Sequence, residues 1–260
     1  NMWESPPSLR LMAFGTTFWL MRALTRQDSM TTFSSHSMSF KALVDVGFHD
    51  ETIVSEDSRI FFQCWLEYGG DYEVTQMYLP VSMDTVRSSS WWSSVKNLYK
   101  QQRRWAYGLE HVPFLLYKFT KGAKNISIFK KIKWVFVEWE GKWNWAVSAL
   151  LITILGRLPL WVAPESVRQS ALYFNAPHIL QNLMNFAMMG LLVSAAFSIP
   201  LLPQKPDSHP KYKYLFMLAQ WALLPISIIF VSAFPAIDAA TRIMLGKYLR
   251  FNVSEKSRVS

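Results

Sequence analysis

Residues 169–204 read QSALYFNAPHILQNLMNFAMMGLLVSAAFSIPLLPQ and residues 214–237 read YLFMLAQWALLPISIIFVSAFPAI; neither stretch contains Asp, Glu, Lys or Arg. At 36 and 24 residues both exceed the ~20 that a helix needs to cross the hydrocarbon layer. A buried core helix seldom reaches such lengths, so both read as transmembrane helices. A third stretch, Trp143 to Gly156, is uncharged for 14 residues before Arg157, with Pro159 and Pro164 beyond it. It reads either as a further crossing, with Arg157 snorkelling, or as an interfacial element.

Outside these runs the chain is polar. Of 260 residues, 51% are hydrophobic and 17% charged, yet the mean hydropathy is only +0.10. Soluble domains average about 25% charge, so apolar and polar parts are segregated along the chain. The net charge of +9 is segregated too. Residues 1–100 carry 8 Lys/Arg against 11 Asp/Glu, residues 101–142 carry 9 against 3, and residues 143–260 carry 10 against 4. Basic charge thus begins where the apolar runs approach, as in a segment drawn to anionic headgroups. No nucleic-acid recognition motif accompanies it, and no nucleic-acid partner is expected. Trp134, Trp139, Trp143 and Trp145, mixed with Lys131, Lys133 and Lys142, form the aromatic and basic belt of a bilayer entry; packing tryptophans on a surface helix are the alternative. The single cysteine, Cys64, excludes an internal disulfide and a Cys-rich zinc site.

The first hundred residues read as a mixed α/β lobe. Leu11 to Met21 is an apolar helix too short to span. Helices are predicted over Lys41 to Val46, ended by Gly47, and over Ser58 to Tyr68, stopped at Gly69-Gly70. Thr31 to Phe40 reads as strand and loop, and Asp71 to Leu79, with Tyr72, Val74, Met77 and Leu79 among polar residues, as a strand running into Pro80.

Two constellations carry chemistry. Ser55-Glu56-Asp57 stands between a loop and a helix start. An exposed carboxylate there can act as a general base, or the triplet can be a helix cap with acids in the first turn. Gln101-Gln102-Arg103-Arg104-Trp105 lies in a helix-like stretch from Ser93 to Val112. Gln101, Arg104, Trp105 and Gly108 share one face. A guanidinium fork suits a pyrophosphate and an indole suits a sugar ring; the alternative is an interfacial helix that binds headgroups. The five histidines, His36, His49, His111, His178 and His209, show no metal-ligand spacing. His36 lies near the motifs, His178 reads as a polar contact in a helix interior, and Asp238 as an interfacial residue paired with Arg242.

In order and spacing, these residues resemble the membrane-integrated family-2 glycosyltransferases, which include cellulose and hyaluronan synthases. Ser55-Glu56-Asp57 is similar to the family's T-E-D with Ser for Thr, and Gln101 to Trp105 matches its Q-(Q/R)-x-R-W. The run Phe33 to Leu43 followed by Val46-Gly47-Phe48 resembles the approach to T-E-D. Phe251-Asn252-Val253-Ser254-Glu255-Lys256 resembles the F-x-V-T-x-K gating loop. The resemblance runs from about Thr31 onward. It implies the C-terminal portion of an α/β, GT-A-type lobe, followed by amphipathic interface helices and a helical transmembrane bundle. The segments would be 1–90 (lobe), 91–142 (interface helices), 143–240 (transmembrane helices) and 241–260 (cytosolic tail).

The resemblance further implies that sugar passes with inversion from a nucleotide-sugar donor to a growing glycan, or to a lipid-linked acceptor. Asp57, beside Glu56, would be the general base; Gln101, Gln102, Arg104 and Trp105 would hold donor and acceptor; Phe251, Val253 and Lys256 would close over nucleotide. A divalent cation, Mg or Mn, is expected through a D-x-D motif, which this sequence lacks. The chain starts at Asn1 without a leader pattern, and is expected to be a piece of a longer protein whose upstream half carries that motif. The protein is expected in the cell membrane, multi-pass, with lobe and tail cytosolic. The basic tail, with Arg242, Lys247, Arg250, Lys256 and Arg258, favours the cytosolic side, although Lys205, Lys211 and Lys213 pull the other way. A single transfer to a lipid carrier and a non-catalytic membrane anchor or pore subunit are the rival readings.

Overall fold

A computed structural model of the chain describes residues 1–123, 125–250 and 256. In chain order the helices are α1 (Pro7–Ala23), α2 (Phe40–Asp45), α3 (Glu56–Glu67), α4 (Trp91–Ala106), α5 (His111–Lys121), α6 (Ile128–Leu150), α7 (Leu158–Val162), α8 (Glu165–Arg168), α9 (Ala171–Ser198) and α10 (Lys213–Met244). Helix stops fall where the sequence puts glycine: Gly47, Gly69 and Gly70 have φ of 76°, 62° and 83°, the left-handed region that glycine enters without penalty. Phe48, beside Gly47, also has a positive φ of 68°. Gln63 on α3 braces this turn by donating to the Phe48 carbonyl at 3.1 Å.

The α/β expectation fails. The chain is 66% helical and no strand occurs among the described residues. Asp71 to Leu79 is not the expected strand. Apolar residues set among polar ones demand only that some of them be buried. Tyr72 and Val74 meet that demand by packing against the helical clusters of α3, α5 and α6, while Met77, Tyr78 and Leu79 stay exposed. No neighbouring strand offers a ladder, and the Leu79 N–H folds back onto the Met77 carbonyl at 2.8 Å. Thr31 to Phe40 is likewise irregular.

One aromatic core joins α3, α5 and α6. Phe61, Phe62 and Trp65 of α3 enclose Trp134 of α6, with Leu115 of α5 and Ile126. Ring centroids lie 4.9 Å (Phe61) and 5.5 Å (Phe62) from Trp134, a spacing at which tilted aromatic pairs attract. Trp134 is therefore a core residue and not part of an interfacial belt. Trp139 and Trp143 are exposed and stacked at 5.7 Å, and Trp145 donates to Ser232 of α10 at 2.7 Å. A second cluster gathers Val54, Ala106 and Tyr107 with Ala146 of α6, Ala236 and Ala239 of α10, and Leu249. Small residues let these helices approach closely.

Helices α9 and α10 are long and apolar enough to cross a membrane. Their bounds, Ala171–Ser198 and Lys213–Met244, overlay the two uncharged runs. The stretch from Trp143 to Gly156 continues α6, which passes at Leu150 into a π-helical turn, Leu151–Leu155, and stops before Arg157, which is exposed; among the described residues only α9 and α10 are long and apolar enough to cross. On α9 only Ala195 and Ser198 are buried. Consequently His178 is exposed on α9 instead of contacting a helix interior.

Candidate active site

The helical stretch expected over Ser93 to Val112 is split. α4 starts at a capping box in which Ser90 and Ser93 satisfy each other's N–H groups, and ends at Ala106. A tight turn, Tyr107–Glu110, then leads into α5. The turn directs Glu110 and His111 onto the start of α3, where the second motif stands.

At that start Ser55 occupies the cap position but does not cap the helix. Its hydroxyl donates to Glu110 Oε1 at 2.5 Å. Three residues on, Ser58 Oγ lies 2.8 Å from His111 Nε2, and Arg59 Nε donates to His111 Nδ1 at 3.1 Å. Because Nδ1 accepts, the imidazole is neutral with its proton on Nε2, which donates to Ser58. Burial holds the His111 pKa well below the usual histidine value, with Arg59 and Lys142 adding repulsion. Burial also raises the Glu110 carboxyl, against its hydrogen bond from Ser55 and the attraction of Arg59. Arg59 is buried, lies 3.8 Å above the Phe114 ring, and reaches Asp50 at 3.9 Å.

Glu56 and Asp57 sit in the first turn of α3, half-buried, where the helix N-terminus favours negative charge. Asp57 Oδ1 accepts from the Ser58 N–H at 2.9 Å, and its backbone carbonyl accepts from Thr32 Oγ1 at 2.6 Å. His36 bonds the Phe33 carbonyl at 2.7 Å and lies beside His49.

On α4, Gln101 and Arg104 are partly exposed, Gln102 is buried, and Trp105 is 39% exposed. Arg103 turns away from this face, donating to Asp238 of α10 at 2.7 Å; Arg242 grips the other oxygen at 2.8 Å. Lys142 of α6 reaches the end of α4. Its Nζ donates to the Trp105 carbonyl at 3.2 Å and would lie 3.4 Å from a Cβ on Gly108. Burial holds its pKa below the usual lysine value, against the pull of Glu138 and Asp57. The α3 start thus meets the segment that follows α4 through Glu110 and His111, residues outside both motifs. Of the gating-loop residues, Phe251 and Val253 lie outside the described residues, and Lys256 is exposed. Leu249, just before them, packs with Val54, Ala106 and Tyr107, and Tyr107 reaches the Lys247 carbonyl at 3.4 Å.

The start of α3 carries a half-buried carboxylate, Asp57, and α4 carries an amide, a guanidinium and an indole at Gln101, Arg104 and Trp105; an amide and a guanidinium suit a phosphate, and an indole a sugar ring. The family model described as glycosyl transferase family group 2 matches residues 10–234. The chain belongs to that family. No curated protein and no solved structure matches it. As a family-2 glycosyltransferase it is a transferase, and the family implies a nucleotide-sugar donor and an acceptor. A divalent cation finds no fit in the chain's own donors: no group of three or more His, Cys, Asp or Glu that could hold a metal occurs among the described residues.

Proposed function

We propose that this family-2 glycosyltransferase works at a membrane and adds sugar, with inversion, to a growing glycan. In this reading residues 1–90 and 91–142 form the catalytic and interface parts, residues 143–240 the membrane part and residues 241–260 a cytosolic tail. Asp57 accepts the proton of the acceptor hydroxyl, whose oxygen then attacks the anomeric carbon. The bond from that carbon to the nucleoside diphosphate breaks, and its electron pair leaves with the phosphate. Gln101 and Arg104 face the diphosphate, where negative charge grows in the transition state, and the exposed Trp105 ring offers a stacking face to the acceptor. Glu56 and Gln102 flank these groups. Phe251, Val253 and Lys256 form a loop that covers bound nucleotide. No step is routed through a metal.

The observation that carries the reading is the link from the start of α3 to the residues just past Gln101 to Trp105: Ser55 donates to Glu110, and His111 bonds Ser58. Membrane location is supported by α9, an uncharged helix whose large apolar side chains, among them Leu172, Phe174, Ile179, Leu183, Phe186 and Leu192, are exposed, a surface that water would penalise. The test incubates membranes bearing the protein with a panel of radiolabelled UDP-glucose, UDP-N-acetylglucosamine, UDP-glucuronic acid and GDP-mannose. One donor is expected to give a labelled polymer that Asp57→Asn abolishes without loss of membrane insertion. Polymer formation that survives Asp57→Asn would refute the assignment of the base.

A further inference from the structure

Glu56 and Asp57 are bracketed. Ser55 precedes them and is held by Glu110; Ser58 follows them and is held by His111. The holders are adjacent in sequence, as their clients nearly are, and the two pairs are separated by 55 and 53 residues. His111 is 1% exposed and its second nitrogen is occupied by the buried Arg59, so the ring cannot turn without breaking both contacts. Ser55, at the cap position of α3, spends its hydroxyl on Glu110 rather than on its own helix. That choice forgoes the usual capping stabilisation of about 1 kcal/mol. A helix start that gives up its cap to bond a residue just past the Gln101 to Trp105 face has its position set by that face.

We propose that Glu110 and His111 are positioning residues, a two-point clamp that fixes the first turn of α3, and with it the Asp57 carboxylate, relative to the donor-binding face of α4. The proposal rests on the reading of Asp57 as the general base. Neither residue takes part in the chemistry; each acts through the backbone that carries Asp57. Loosening either contact lets the carboxylate drift from the acceptor hydroxyl, and misplacement by about 1 Å can cost about 100-fold in rate. Donor binding, which belongs to Gln101 and Arg104, is left intact.

The test measures transfer from the active donor of the radiolabelled panel in membranes, per inserted and monodisperse protein. Glu110→Ala and Ser55→Ala are each expected to lower kcat by about 10- to 100-fold, with KM for the donor changed less than about threefold. Glu110→Gln keeps an acceptor for the Ser55 hydroxyl and is expected to recover most of the lost rate. The Ser55→Ala/Glu110→Ala double variant is expected to be no slower than Glu110→Ala, because both remove one contact. Ser58→Ala tests the His111 arm without opening a core cavity, with the same kcat-selective loss. The clamp is overturned if Glu110→Gln loses as much as Glu110→Ala, if the losses multiply in the double variant, or if KM rises in step with the fall in kcat. Asp57→Asn, run in parallel, separates the two claims: if it abolishes transfer while Ser55→Ala and Glu110→Ala do not slow it, the base stands and the clamp fails.

Discussion

Removing the carboxylate of Asp238 should loosen the grip between the long apolar helix α10 and the motif helix α4. Asp238 accepts from Arg103 at 2.7 Å and from Arg242 at 2.8 Å. Hydrogen bonds to charged groups contribute about 1.5–3 kcal/mol when shielded, whereas exposed ion pairs give about 0–1 kcal/mol. The side chains are 20% (Arg103), 27% (Asp238) and 35% (Arg242) exposed, so these contacts sit between the limits. The Arg103 contact crosses between helices, and Arg103 Nε is buried without a partner, so losing Asp238 leaves this guanidinium poorly satisfied. Together the two contacts should be worth about 2 kcal/mol, and about half of that for Asp238→Asn. For a chain of this size 2 kcal/mol corresponds to about 4–8 °C in Tm. Thermal unfolding in lipid nanodiscs, followed by tryptophan fluorescence, measures it. A double-mutant cycle with Arg103→Gln and Asp238→Asn isolates the cross-helix part, expected at about 1 kcal/mol. A coupling below about 0.3 kcal/mol would refute the idea that this pair ties α10 to the motif helix.

Three further outcomes follow from the geometry. Trp134→Ala should cost about 3–5 kcal/mol, since it empties the space between Phe61, Phe62 and Trp65; a loss under 1 kcal/mol by thermal unfolding would show Trp134 to be peripheral. Because the folded-state pKa of His111 is depressed, its contribution to stability is constant above the unfolded value of about 6.5 and falls as pH drops through it, by up to about 1.4 kcal/mol per pH unit. That slope should shrink in His111→Gln, and unfolding scans between pH 7 and 5 check it. Trp105→Ala should stop polymer elongation while sparing single sugar transfer, read by the length distribution of labelled products; full-length polymer from this variant would remove Trp105 from the acceptor path.

The two long apolar helices were legible because the absence of charge over 36 and 24 residues is a signal that needs no tertiary partner. Helix stops were legible for a similar reason: Gly47, Gly69 and Gly70 act through their own backbone. The strand at Asp71 to Leu79 was misread because apolar residues among polar ones encode a need for burial and not a ladder, and Tyr72 and Val74 meet that need against helices. Trp134 could not be told from Trp139 and Trp143 by composition; only the packing of α6 on α3 separates them. In the site, Asp57 and the Gln101 to Trp105 face were visible as motifs, while Glu110, His111 and Lys142 were not. Their contacts span 37 to 55 residues, and no periodicity records such pairing. The one available hint was a Glu-His pair between Leu109 and Val112, two polar residues where the apolar stripe continues.

The account stands most directly on the Asp57 carboxylate. Initial rates of sugar transfer from the active donor, compared between the protein and Asp57→Asn at equal amounts inserted in the membrane, test it. Loss of general-base assistance should lower kcat by about 100- to 10,000-fold, with donor KM unchanged within about threefold and Tm preserved. A variant that transfers sugar within tenfold of the parent rate would contradict the account.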